Sequence, residues 1–305
     1  MMPLKIELLE NKGESYNVVI LGIGEIGKKL VREYPMPAYG ENHWAIETLT
    51  LCEDDAFQHK RYPKVMTPRD SPKYLEKCRD AVCEAITKAD ILFVVSDVKQ
   101  DPDYDHTYRF AKLHKQGESE HKATILVDCS GSPYCEFDLD EVYDLIIFNC
   151  EGAPNFRPIE MLLTDLYTQC VGLDMADVSS ALKYTDRIKF VEMKHSNKKE
   201  LEDILLSIRP AMEKEKLYHG ETGILNGLLY LSIPHTEGLE LMELGYEHLA
   251  DSIIDGQFIV QFGFNPSPID DSITISLMYG RDKRTPEEIE EDNKIDWDEM
   301  FESLK

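Results

Sequence analysis

Short, continuous apolar runs alternate with amphipathic stretches over the first half of the chain. Val18-Val19-Ile20-Leu21 (opened by Tyr16-Asn17), Ile91-Leu92-Phe93-Val94-Val95, Ala123–Val127 and Leu145-Ile146-Ile147-Phe148 are the length of strands, and Trp44–Leu51 is a β-rich run of similar length. The stretches between them suit helices: Lys28–Glu33, Ser71–Lys88 with Ser71 as N-cap and Pro72 in the first turn, and Tyr104–Gln116. Strands that are apolar without alternation must be buried on both faces, which a parallel sheet between two helix layers provides. The pattern predicts an α/β, Rossmann-like, nucleotide-binding-type domain with a parallel sheet.

The second half reads differently. Pro154 and Pro158 interrupt the chain, and Ile159–Cys170 follows as a central helix with Met161, Leu162, Leu166 and Cys170 near one face. A helix over Lys198–Glu215, a strand Gly227–Ile233, a helix Leu239–Ile254 and strands Gln257–Phe264 and Ser272–Met278 predict a second, α+β domain. The link Asn265-Pro266-Ser267-Pro268-Ile269-Asp270-Asp271 suits a hairpin between the last two strands. Beyond Gly280 the chain is an acidic C-terminal tail. The expected division is 1–157 for the nucleotide-type domain, 158–180 for the central helix and the loop after it, 181–280 for the α+β domain and 281–305 for the tail.

Charge narrows the partners. The 305 residues carry 33 Lys+Arg against 58 Asp+Glu, a formal net charge of −25. So acidic a surface repels polyanions and anionic bilayers, so neither nucleic-acid binding nor direct membrane insertion is expected. The opening ten residues carry acids where a signal peptide needs an apolar run, and no stretch approaches the roughly 20 apolar residues of a membrane span. A cytoplasmic location is expected. Seven scattered cysteines without a CxxC pair suggest buried small apolar residues rather than a disulfide or zinc framework.

Two motifs carry candidate chemistry. Gly22-x-Gly24-x-x-Gly27 follows a strand and opens a helix, where glycines let backbone approach a phosphate and the helix N-terminus supplies N–H groups. The same turn also serves folds that only pack a helix against a sheet. An NAD(P)-dependent enzyme would add an acid at the end of the second strand, where Glu53 and Asp54 stand, but His43, His59, His106 and His195 are isolated and offer no hydride-transfer partner. The second motif is Gly172-Leu173-Asp174-Met175-Ala176-Asp177-Val178. Its two carboxylates, three residues apart, share a helical face and suit positioning a water or a metal; alternatively Asp174 caps a helix with Asp177 in its first turn.

Several segments, in order, resemble the cell-division protein family FtsZ of bacteria and archaea. Gly223–Ile233, Leu239–Leu244, Phe258–Phe264 and Asp271–Leu277 resemble the strand, helix, "iifG" strand and "D-x-[IV]-[RT]-[IV]-T-[VL]" strand of its C-terminal domain. Gly172–Val178 resembles the synergy-loop motif N-x-D-x-x-D, with Gly172 in place of its Asn. Ala89–Val95 resembles the "ADMVFVTAG" strand, and Gly22–Gly27 stands at the first phosphate loop. The resemblance covers most of residues 16–280. It implies an FtsZ/tubulin-like fold and a cytoskeletal role with itself or another FtsZ/tubulin-like subunit as partner. It also implies that Asp174 and Asp177 enter the nucleotide pocket of the next subunit as the catalytic pair that positions the attacking water. By the same resemblance Gly22, Gly24, Gly27, Ser96 and Asn149 are the residues for GTP, with Mg²⁺ entering only with the nucleotide.

This chain departs from the family at the phosphates. In place of the glycine-rich GGGTG[ST]G loop stands Ser96-Asp97-Val98-Lys99-Gln100-Asp101-Pro102-Asp103-Tyr104-Asp105-His106, without a glycine and with four Asp, which would repel a triphosphate unless Mg²⁺ bridged them. The expectation is weak or absent GTP binding in a filament-modulating protein. An active assembly-coupled GTPase, an NAD(P) enzyme using Glu53, and an interaction module without nucleotide are the alternatives. In the tail, Trp297, Met300, Phe301 and Leu304 follow i, i+3, i+4, i+7 spacing, which fits either a partner's groove or the chain's own second domain.

Overall fold

The computed structural model describes residues 16–33, 44–51, 57–61, 83–99, 101–117, 122–130, 139–149, 156–163, 185, 187–195, 225–234, 258–267 and 273–281. Its strands are β1 (Tyr16–Gly22), β2 (Trp44–Leu51), β3 (Phe57–Arg61), β4 (Ile91–Ser96), β5 (Ala123–Asp128), β6 (Leu145–Asn149), β7 (Arg187–His195), β8 (Leu225–Pro234), β9 (Phe258–Ser267) and β10 (Ile273–Arg281). They form one sheet in the order β3-β2-β1-β4-β5-β6-β7-β10-β8-β9. β2, β1, β4, β5, β6 and β7 run parallel, in the α/β manner that the apolar runs predict. Every residue of β4 and β5 is buried, which explains why these strands show no polar alternation.

Two hydrophobic layers flank the sheet. On one face Val18, Ile20, Phe93, Ile125 and Ile147 pack with Leu30 and Val31 of α1 (Gly24–Glu33) and with Ile159, Met161 and Leu162 of α3 (Arg157–Leu162). On the other, Val19, Leu21, Leu92, Val94, Leu126 and Ile146 meet Ile86, from a helical segment at 83–88, and Ala111 of α2 (Asp101–Lys115). α1 buries Gly27, Leu30 and Val31, the i, i+3, i+4 stripe of a helix lying on a sheet. Pro158 in the first turn of α3 has its φ already set for a helix and lacks an N–H that would have no intrahelical partner there.

Four differences from the sequence expectations have physical causes. β9 and β10 are not a hairpin, because β10 lies between β7 and β8, antiparallel to both, while β9 pairs parallel with β8. β9 is thereby an edge strand, where the missing N–H of Pro266 breaks no interior ladder. β7 is a strand where none is expected, and its pairing with β6 on one side and β10 on the other joins the two halves of the sheet. β3 is a polar edge strand antiparallel to β2. α2 starts at Asp101, three residues before the expected Tyr104, which shortens the link from β4. The helix expected over Ile159–Cys170 starts earlier, at Arg157, and α3 ends at Leu162, with Leu163 leaving helical geometry as its C-cap; residues 164–170, the helix start at Ser71, the helices expected over 198–215 and 239–254 and the tail lie outside the described residues.

At the amino-terminal edge of the sheet, acids take N–H groups that strands leave open. Asp90 Oδ2 accepts from Asn17 N at 2.9 Å, and Asp144 Oδ2 accepts from Thr124 N at 2.8 Å. Beside them His114 is fully buried. Its Nε2 donates to the carbonyl of Ala89 at 3.0 Å, which leaves Nδ1 to accept from the Thr124 hydroxyl at 2.8 Å. Burial holds its pKa down at about 4, so the ring is neutral. Lys122, also buried, donates to the carbonyls of Thr87 and His114, tying the carboxyl ends of two helical segments together.

Candidate functional site

The strand order reverses direction at β1. β2 lies on one side of it and β4 on the other, so the loops leaving β1 and β4 diverge and open a crevice at the carboxyl edge, the usual ligand position in open α/β sheets. The backbone brings Gly22, Gly24, Gly27, Ser96 and Asn149 to this edge. Gly22 ends β1, Gly24 and Gly27 stand in the first turn of α1, Ser96 ends β4 and Asn149 ends β6. Asn149 lies three strands from β1, on the order of 14 Å away. Asp174 and Asp177, Glu53, and the tail residues Trp297, Met300, Phe301 and Leu304 lie outside the described residues.

The glycines have separate steric reasons. Gly24 has φ +68°, the left-handed region that favours glycine, and it turns the chain from strand into helix. Gly27 faces β4: a β-carbon there would stand 2.9 Å from the carbonyl carbon of Val95 and nearer still to its oxygen. That same oxygen accepts the N–H of Ile23 at 2.9 Å. The motif thus presses α1 onto β1 and β4, and one of the turn's donors is spent in doing so.

The loop after β4 is closed in a different way. The register pairs Ser96 with Asp128, so the end of β5 stands beside the turn at Asp97–Lys99. Asp128 is 1% exposed. It accepts from Ser130 N at 2.9 Å, Ser130 Oγ at 2.8 Å and, more loosely, Val98 N at 3.5 Å. Asp97 Oδ1 accepts from Lys99 N at 3.1 Å. Burial raises the Asp128 pKa, with a further push from Asp97, and the Ser130 and Val98 hydrogen bonds oppose the rise. Burial also pushes the Cys129 thiol far up, assisted by Asp128 and Asp97, so this sulfur is no thiolate nucleophile. Ser96 is fully buried, its carbonyl accepts from Cys129 N at 2.8 Å, and its hydroxyl has no hydrogen-bond partner among the described residues.

Asp128 and Ser130 are site residues that sequence reading passes over. An acid ending an apolar strand with a serine two residues later is their signal, because that spacing lets the carboxylate bond the serine's own N–H and hydroxyl. Charged residues of the two turns that flank the crevice include Glu25, in the first turn of α1 and 3.7 Å from Lys28, and Lys99. No group of three or more His, Cys, Asp or Glu suited to a metal occurs among the described residues.

No protein-family profile matches the sequence, and no curated protein matches it. The backbone does find counterparts. An FtsZ mutant from M. jannaschii superimposes with a TM-score of 0.56 at 11% identity, covering 90% of this chain and 93% of the other. The fold is that of FtsZ. An empty FtsZ dimer from M. jannaschii gives 0.53 at 11% identity over 92% and 96% of the two chains, and a GDP-bound monomer of CetZ1 from Haloferax volcanii gives 0.51 at 12% over 90% and 97%. The coverage of about 90% is too large for the doubly wound half alone. No helix among the described residues is long and apolar enough to cross a membrane.

Proposed function

We propose that this chain is a cytoplasmic, FtsZ/tubulin-like protein that forms or modulates filaments with copies of itself or with another FtsZ-like subunit, and that its own GTP site is weak or lost. The supporting observation is the combination at one edge of the sheet: the FtsZ fold over about 90% of the chain, and a crevice whose loop N–H groups already bond to Val95, Asp97 and Asp128. A triphosphate needs such donors free, and the acids Glu25, Asp97 and Asp128 stand there beside only the lysines Lys28 and Lys99 among the residues named. These engaged donors and acidic side chains support the reading of a weak or lost nucleotide site.

In this reading the chain contributes Asp174 and Asp177 to a neighbour. A carboxylate pair on one subunit that completes the hydrolytic site of the next ties turnover to assembly, because neither subunit alone positions the attacking water. In the same reading the tail residues Trp297, Met300, Phe301 and Leu304, at i, i+3, i+4, i+7 spacing, supply a separate contact for a protein partner. The whole-chain likeness to FtsZ favours this over a nicotinamide enzyme, which would need only the doubly wound half.

Calorimetric titration of the full chain with GTP and Mg²⁺, paired with sedimentation of the chain alone and with an FtsZ, tests the proposal. Little or no heat of binding, together with co-sedimentation or altered polymer mass, is expected. Replacing Asp174 and Asp177 by Ala should remove the effect on the partner's turnover. Tight GTP binding with turnover per subunit that rises with protein concentration would instead identify an active assembly-coupled GTPase.

A further inference from the structure

The turn after β4, at one side of the crevice, is held by a carboxylate from the end of β5. Asp128 is almost completely buried, yet no Lys or Arg forms an ion pair with it among the described residues; its hydrogen-bond partners there are two backbone N–H groups and one hydroxyl. That donor set resembles what a strand-to-helix loop offers to a bound anion. One of the two N–H groups, that of Val98, belongs to the turn that leads into α2, and the next, that of Lys99, goes to the Asp97 carboxylate. Two consecutive N–H groups of this turn are therefore committed to the chain's own carboxylates.

We infer that Asp128, assisted by Asp97, is a built-in anion that holds the loop after β4 shut against phosphorylated ligands. The inference rests on the reading that nucleotide binding is weak and says which residues weaken it. Two effects act together. An incoming phosphoryl oxygen must compete for the Val98 and Lys99 N–H groups, and it meets the charge of Asp128, which burial screens poorly, and that of the more exposed Asp97, which adds a smaller repulsion. The crevice is otherwise suited to an anion, since it lies at the carboxyl edge and at the start of two helices.

The test uses the full chain with Asp128→Asn, Asp128→Gly and, separately, Asp97→Asn, titrated calorimetrically with inorganic pyrophosphate and with GTP–Mg²⁺, each variant's fold being checked by its thermal transition. Asparagine keeps an oxygen for the N–H donors and removes the charge; glycine removes the occupant. Pyrophosphate affinity should rise by about tenfold or more in the Asp128 variants and by a smaller factor in Asp97→Asn. Folded Asp128 variants without a gain overturn the inference and leave the weak-nucleotide reading standing. If the Asp128 variants do not fold, Asp97→Asn decides: a gain supports the inference and unchanged binding overturns it. A wild-type chain that binds GTP tightly with Asp128 in place overturns both.

Discussion

Gly27→Ala is the sharpest probe of why the glycine turn exists. The added β-carbon would lie 2.9 Å from the Val95 carbonyl carbon, whereas non-bonded carbons rest at about 3.5–4.0 Å, so α1 must withdraw from β4 by roughly 1 Å. The obstacle is backbone in the interior of the sheet and has no rotamer to turn away. Overpacking of this kind costs about 3 kcal/mol, the upper part of its usual range. Alanine recovers about 1 kcal/mol through helix propensity. The net loss is about 2 kcal/mol, and with a urea dependence of about 3 kcal/mol per molar the unfolding midpoint should fall by about 0.7 M. Far-UV circular dichroism across a urea series reads it. An unchanged or higher midpoint would refute the close approach of α1 to Val95 and leave only the ligand explanation for Gly27.

Gly24→Asn should be milder than Gly24→Ala, because asparagine tolerates the left-handed region where Gly24 sits at φ +68°; the two midpoints should differ in that order by a fraction of about 1–2 kcal/mol. His114 is held near pKa 4 by burial against an ordinary 6.5, so the unfolded chain binds the extra proton first. Stability from this group is complete above pH 6.5 and falls as the pH drops towards 4, by up to about 3 kcal/mol, and His114→Gln should flatten that part of a pH series of unfolding midpoints. Asp128, with its pKa raised, acts in the opposite sense in acid and offsets part of the loss. Lys122→Met keeps the aliphatic stem but strands the carbonyls of Thr87 and His114, and should cost about 2–3 kcal/mol in the same denaturation assay.

Much of the doubly wound half is legible without coordinates. β1, β4, β5 and β6 fall within a residue or two of the apolar runs and β2 matches the β-rich run, because strands covered on both faces are mostly apolar and the polar side chains they bury, such as Thr48, Thr50 and Thr124, are few and small. β7 escaped notice although Ile188 and Phe190 alternate with Arg187 and Lys189; that signal is weaker than a continuous run and marks a strand at the change from parallel to antiparallel pairing. The hairpin expected of β9 and β10 failed for a different reason. Turn residues show that the chain reverses, and they do not show which strand will be inserted beside it.

At the candidate site the division is equally physical. Local order alone places Gly22, Gly24 and Gly27 between a strand and a helix, and shows that Ser96-Asp97-Val98-Lys99 contains no glycine. That Asp128, some 30 residues further on, takes the Val98 N–H could come only from the parallel register of β4 with β5, which sets Ser96 beside Asp128. The Val95 carbonyl reaches Ile23 and bars a side chain at Gly27 for the same kind of reason, the pairing of β1 with β4. Periodicity is a property of neighbours along the chain and survives in the sequence; the partners of a buried carboxylate or a glycine are neighbours across the sheet, and only strand order and register choose them.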